Sequence, residues 1–171
     1  MRLGALLLLQ SFARLRSITP GFRTDQLVTM AVSSRSSDLR RELRERLQRL
    51  PGTLAVSFAD ALPPDEASRT SAFSRRDRPT PAAGSQNDAV IVRLVDGQFF
   101  PAMSIRLFQG RVFTPADIAG NSLVAVVNRT LADHYFAQEN PIGKMVDGPP
   151  WKTVVGVVAD TRNDGLRNPA R

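Results

Sequence analysis

Apolar positions change their period several times along the chain. Residues 3–9 form a short apolar run, Leu3-Gly-Ala-Leu-Leu-Leu-Leu9. As a helix it spans roughly 10 Å, against about 30 Å of bilayer hydrocarbon. The pattern continues at helical spacing through Leu8, Phe12 and Leu15, with Arg14 and Arg16 off that side, until Pro20-Gly21 stops it. Residues 1–22 therefore read as the end of a membrane helix running into an amphipathic stalk. The rival is a poor signal peptide, whose apolar core would be longer and followed by a small-x-small site. Residues 26–33 place Leu27, Thr29 and Ala31 on one face and Val28, Met30 and Val32 on the other, which predicts a buried strand.

The period then switches to that of a helix. Ser36, Ser37 or Asp38 supplies a cap, and Leu39, Leu43, Leu47 and Leu50 make one apolar stripe. Glu42–Arg46 and Glu45–Arg49 are i,i+4 pairs on the opposite side. Pro51-Gly52 ends the helix, and Leu54, Val56 and Phe58 alternate within a predicted strand over Thr53–Ala59. This first unit reads as β-α-β. Residues 62–87 lose all periodicity; their prolines, serines, threonines and the run Arg75-Arg-Asp-Arg78 predict an irregular, solvated loop.

Regular patterning returns at Asp88–Val95 with a strand, followed by a short turn or helix near Gln98–Met103 that Pro101 interrupts. Thr114-Pro-Ala-Asp117 is a helix start, with a capping threonine, proline at the first helical position and an acid near the positive helix end. Leu123–Val127 reads as a strand. Asn128 caps a short helix bearing Leu131, Tyr135 and Phe136, and Asn140-Pro-Ile-Gly143 turns the chain. Thr153–Val158 is the last strand, where an internal Gly156 predicts a bulge or a close approach of backbone. The fold class that results is α+β. Asn168-Pro-Ala-Arg171 follows without a closing element, so the sequence reads as a fragment of a longer protein.

Composition narrows the chemistry. The chain has 171 residues, 42% hydrophobic and 23% charged, within the range of a globular protein. Cysteine is absent, which removes disulfides, thiolate metal sites and cysteine nucleophiles, and a single histidine, His134, removes a multi-histidine metal site. Net charge is +7, and all basic residues except Lys144 and Lys152 are arginine. Residues 1–80 carry 14 arginines against 8 acids, whereas residues 81–171 are nearly balanced. An anionic membrane surface or nucleic acid fits that asymmetry, as does a solvated arginine-rich face.

No catalytic constellation assembles. His134 and Asp133 are sequence neighbours and point in different directions on a helix, so the acid does not orient a base, and a surface histidine is the default. Gly143-Lys144 lacks the earlier glycine of a phosphate loop, position 138 being Gln, and Met145 stands where Ser or Thr is needed. Asn128-Arg-Thr130 matches a glycosylation sequon too common to weigh. Asp160 and Asp164 flank Arg162 in what reads as a turn capping itself. No catalytic, cofactor-binding or metal-ligating residue is assigned, no cofactor is expected, and the chain is read as not an enzyme.

The order of motifs is more specific than any one of them. Ser11-Phe-Ala-Arg-Leu15 and Pro20-Gly-Phe-Arg-Thr24 open a series that continues with Arg49-Leu-Pro-Gly52 and Phe99-Phe100. Gly110-Arg-Val-Phe-Thr-Pro-Ala-Asp117, Val124-Ala-Val-Val-Asn128, Tyr135-Phe136 and Pro141-Ile-Gly-Lys144 follow, and the series closes on Trp151 and Val154-Val-Gly-Val-Val158. The series strongly resembles the MacB-type periplasmic core domain of FtsX-like ABC transporter permeases, over nearly the whole chain and most weakly at 62–87. The loop between Val32 and Ser36 is shorter than the family's, and Gly97-Gln-Phe-Phe100 replaces its Gly-Tyr-Phe pattern.

The resemblance implies residues 1–22 as membrane helix end and stalk, 24–61 as the first half of a β-α-β periplasmic subdomain, and 88–162 as an inserted α+β subdomain. Residues 62–87 would be the loop between them and 163–171 a truncated end. It also implies a bacterial inner-membrane protein with this domain on the periplasmic side. An ATPase subunit or domain outside this chain, a second permease copy forming a dimer, and the membrane are the partners implied, with no nucleic acid. ATP-driven motion would pass through the domain to efflux or release of a substrate. The rival readings are a secreted basic module binding anions or nucleic acid, and a small hydrolase.

Overall fold

The computed structural model describes residues 21–23, 25–33, 36–62, 69–78, 89–137 and 139–161. The membrane-helix reading of residues 1–20 and the readings of Arg162, Asp164 and the chain end lie outside the described residues. The elements in order are α1 (Ser37–Gln48), β1 (Thr70–Ala72), β2 (Ala89–Ile91), α2 (Phe99–Ala102), β3 (Leu107–Gly110) and α3 (Pro115–Ala119). They continue with β4 (Val124–Asn128), α4 (Arg129–Phe136), β5 (Met145–Val146) and β6 (Lys152–Val158). The chain is α+β. Among the described residues no helix is long and apolar enough to cross a membrane.

The longest strand, β6, organises the larger sheet. β4 pairs along one side in parallel, while β3 and β5 share the other side, both antiparallel. Side chains alternate across a strand, and β4 and β6 divide two hydrophobic clusters in this way. Val127 and Val157 join Phe73, Val90, Ala132, Phe136, Val146 and Val154. Val126 and Val158 join Phe99, Phe100, Met103 and Ile105. The first cluster is covered by α4, where Phe136 is 0% exposed, and by β1 and β2. The second cluster is covered by α2 and by Phe22 and Leu27.

Gly156 sits where both of its sequence readings apply. The β4–β6 register runs Ala125↔Val154 and then Val126↔Gly156, so Val155 is the extra residue of a bulge. A Cβ on Gly156 would overlap the carbonyl oxygen of Arg111, whose own N–H donates to the Val155 carbonyl at 2.9 Å. The predicted caps also form. Ser36 Oγ accepts from the Leu39 amide, Asn128 Oδ1 accepts from the Leu131 amide, and Thr114 and Asp117 make a reciprocal capping box with Pro115 at the first turn.

Three expectations need correction. Residues 26–33 form no strand, and Val28 is 90% exposed. A strand persists through its ladder to a neighbour, and no described segment pairs with this one. Thr53–Ala59 likewise forms no strand; only Ala59 bridges Val95, with the Asp96 amide donating to the Phe58 carbonyl at 3.1 Å, and Leu54 is 95% exposed. Of the β-α-β reading, then, the helix forms and its flanks make no ladder. Finally, the part of 62–87 that is described is not a solvated loop. β1 pairs with β2, and Phe73, Ser74 and Arg75 are buried. Pattern failed there because so short a strand has too few alternations to register.

Candidate functional site

The first described helix, α1, is joined to the start of α2 through the carboxylate of Asp96. Asp96 lies in the turn before α2 and accepts from four donors. Its Oδ1 takes Ser57 Oγ at 2.9 Å and the Gln98 amide at 3.0 Å. Its Oδ2 takes the Phe58 amide at 2.9 Å and the Arg44 guanidinium in an ion pair. Arg44 projects from α1, donates also to the Val56 carbonyl at 2.7 Å, and lies 5.0 Å over the Phe58 ring. The leucine stripe of α1 contributes little by comparison, since no residue of that helix is buried. A charge-assisted contact therefore holds α1, residues 56–58 and the start of α2 together.

A second junction brings the first described residues against the end of β6. The Arg23 amide donates to the Met103 carbonyl at 3.1 Å. Gly21 has a φ of 84°, and a Cβ there would overlap the Asp160 carbonyl oxygen, so only glycine permits this approach. Asp160 Oδ1 in turn accepts from Asn128 Nδ2 at 2.7 Å and from the Thr130 amide at 2.9 Å, capping α4. Asp160 therefore caps a helix distant in sequence, while its reading as part of a turn with Arg162 and Asp164 lies outside the described residues.

The third feature is a charge network that sequence reasoning missed. Arg75 is 5% exposed and stacks 4.5 Å over Phe136. Its Nε and Nη2 reach Asp77 at 2.9 and 2.7 Å, Nη2 also reaches Glu139 at 2.8 Å, and Nη1 donates to the Tyr135 carbonyl at 2.7 Å near the end of α4. Arg78 pairs with Glu139, and Lys144 with Asp77 at 2.9 Å. The Arg75 and Lys144 hydrogen bonds hold the Asp77 carboxyl well below the usual carboxylate range. Arg75 and Arg78 depress Glu139, and Asp77 raises Lys144. A similar pair lies beside α3, where Arg111 and the Thr114 amide and hydroxyl depress Asp117. The only sequence signal for the network was Asp77 two residues after Arg75, beside the lone aromatic Phe73.

The residues considered for chemistry are not brought together. His134 is exposed and edge-on to Tyr135, with ring centroids 4.7 Å apart. Lys144 serves the Asp77 and Glu139 pairs rather than a phosphate loop. Among the described residues no group of three or more His, Asp or Glu side chains is placed to hold a metal ion. What the arrangement provides is a set of polar joints between packed elements.

Comparison with known proteins bears on what those joints serve. The family described as the MacB-like periplasmic core domain matches residues 8–169. The macrolide export ATP-binding/permease protein MacB of Aggregatibacter actinomycetemcomitans is 36% identical over 71 residues, 40% of this chain and 11% of that protein. The extracellular domain of the noncanonic ABC-type transporter YknZ from Gram-positive bacteria is similar in fold, with a TM-score of 0.50 at 16% identity over 83% of this chain and 60% of that one. The periplasmic region of MacB from Actinobacillus actinomycetemcomitans matches at 19% identity and a TM-score of 0.46, over 70% of this chain and 51% of that one. The chain thus spans a small part of the curated relative and between half and two thirds of each solved domain. With 8–169 matched, the chain belongs to the MacB-like periplasmic core domain family.

Proposed function

We propose that this chain is the extracytoplasmic part of an ABC transporter permease and that it passes ATP-driven motion from a membrane-proximal stalk to a periplasmic substrate or partner. An ATPase domain or subunit outside this chain supplies the motion, and a second permease copy stands beside it at the bacterial inner membrane. In this reading 24–61 and 88–162 act as two subdomains. The domain itself carries no ATPase or hydrolase activity; its working residues are packing and joint residues.

The observation that supports this best is the convergence of the two junctions. The first described residues, through Gly21 and Arg23, and α1, through Arg44 and Asp96, both bear on elements around the Phe99–Phe100 cluster. That cluster includes Val158 of β6, the strand every other strand of the larger sheet contacts. A displacement of the N-terminal segment is therefore delivered to the most interconnected strand, through close-packed contacts that transmit strain. Many of the basic side chains are engaged within the chain: Arg75, Arg78, Arg111, Lys144 and Lys152 all pair with carboxylates. That favours this reading over a nucleic-acid module.

The test uses the intact transporter in proteoliposomes, with spin labels at Gln48 on α1 and Asp133 on α4. Turnover of ATP is expected to shift the inter-label distance distribution, and Asp96→Ala is expected to abolish the shift while leaving ATP hydrolysis measurable. A distribution that ignores nucleotide would refute the transmission role.

A further inference from the structure

β3 is an end strand of the larger sheet. β6 occupies one side of it, and no described residue pairs along the other. All four β3 residues are exposed, including Leu107 and Phe108, the latter 45% exposed. An open edge bearing large apolar side chains is a template for a further strand, because no described strand pairs with its outward N–H and C=O groups. Above this edge two cations converge: Arg106, just before β3, and Arg129, at the start of α4, each hold a guanidinium 5.3 Å from the Phe108 ring centroid. Arg129 shares a 3.5 Å ion pair with Asp133, whereas Arg106 has no carboxylate partner among the described residues. A groove of about 350 Å³ adjoins them, lined by Phe108, Gln109, Arg129, Ala132 and Val157 and by two carboxylates already paired within the chain, Asp133 with Arg129 and Glu139 with Arg75 and Arg78.

We propose that β3 accepts an extended, acidic segment of another protein as an added strand. Carboxylates of the segment meet Arg106 and Arg129, and one of its apolar side chains covers Phe108. Backbone pairing supplies affinity in this mode and alternate side chains supply selectivity. The directional demand of the open edge favours a peptide over a lipid surface, since an acyl chain satisfies no backbone N–H. Arg106, without a carboxylate partner among the described residues, and Arg129, which shares its charge with Asp133, favour an acidic segment over a basic one, the groove's own carboxylates being already paired. A second copy of this chain is a poorer occupant, because the unladdered apolar segment 26–33 contains no acidic residue. This surface is separate from the Asp96 joint, and the proposal stands whether or not the domain transmits motion.

The test titrates the full chain with two labelled eight-residue peptides, one alternating Val and Glu and the other Val and Lys, by fluorescence anisotropy. The Glu peptide is expected to bind and to slow amide hydrogen exchange at Leu107–Gln109. Replacing both arginines (Arg106→Glu with Arg129→Glu) is expected to weaken it by about tenfold or more and to create binding of the Lys peptide. Arg106→Gln alone, at a surface position, is expected to weaken the Glu peptide in the same direction should the double variant misfold. Equal affinity for both peptides, no binding of either, or indifference to the arginine changes would overturn the proposal. So would Arg106-dependent binding to phosphatidylglycerol vesicles without peptide binding, which would assign the surface to lipid.

Discussion

Helices α1 and α4 begin alike and are used differently. Each starts on a side-chain cap, Ser36 in one and Asn128 in the other, and each carries an apolar stripe. In α4 the stripe is consumed: Ala132 and Phe136 are buried among Val127, Val154 and Val157. In α1 no residue is buried, and Leu50 at the end of its stripe is 54% exposed. The helices differ in their neighbours. α4 follows directly from β4, so the chain folds it back onto a sheet already held by β6. α1 is flanked by two segments that make no ladder, so no sheet among the described residues lies beneath its leucines. An amphipathic period states which face needs cover; the cover itself has to come from elsewhere in the molecule.

The contrast is broken or sharpened most by truncating one stripe residue in each helix. Phe136→Ala is expected to lower the unfolding free energy by about 4 kcal/mol, as for a fully buried aromatic, while Leu47→Ala on α1 lowers it by about 1 kcal/mol or less. Urea denaturation of both variants measures this, and equal losses would mean that α1 is packed as tightly as α4. Next in size is Arg75→Met, which keeps apolar contact with Phe136 but strands Asp77 and Glu139. Those carboxylates are partly exposed and retain Lys144 and Arg78, so the loss should be about 2 kcal/mol rather than the larger value for a wholly buried pair.

Acid gives a smaller and graded effect. Asp77, Glu139 and Asp117 have folded pKa values depressed by their cationic and hydrogen-bonding partners. Their stabilisation is therefore complete above the unfolded carboxylate range near pH 4 and is lost as pH falls through the lower folded values. The urea midpoint should hold from neutral pH down to about 5 and then decline, and the decline should be shallower in Arg75→Met, which removes the largest cause of depression at Asp77 and Glu139. A midpoint indifferent to acid would show the network to be energetically idle. Smallest of all, Leu50→Ser should change stability by no more than about 0.5 kcal/mol, because the leucine is already half in water. A loss well above that would place a cover over the α1 stripe.

Legibility followed the length of the pattern. Long strands and capped helices of the second half were readable, because Val124–Asn128 and Lys152–Val158 are β-branched runs and Thr114-Pro115 and Asn128 are local punctuation. The joints were not. Asp96 gathers Arg44, Ser57, Phe58 and Gln98 from three stretches of chain, and nothing local to any of them announces the other two. Arg75 looked like one of several loop arginines, and its burial depends on Tyr135 and Glu139, some sixty residues away.

Caps, turns, the strand bulge at Gly156 and the helical face of α1 depend on backbone sterics and hydrogen bonds within a few residues, so they follow from the amino acids in order. Membership of the family was legible in the same way, from motifs kept in sequence over most of the chain. Whether an apolar segment becomes a strand, or a charged one is buried, rests on partners distant in sequence. Residues 26–33 read as a strand and make no ladder, while Phe73–Arg75 read as loop and lie in the core. Burial and pairing are properties of two surfaces at once, and only folding brings the second surface to the first.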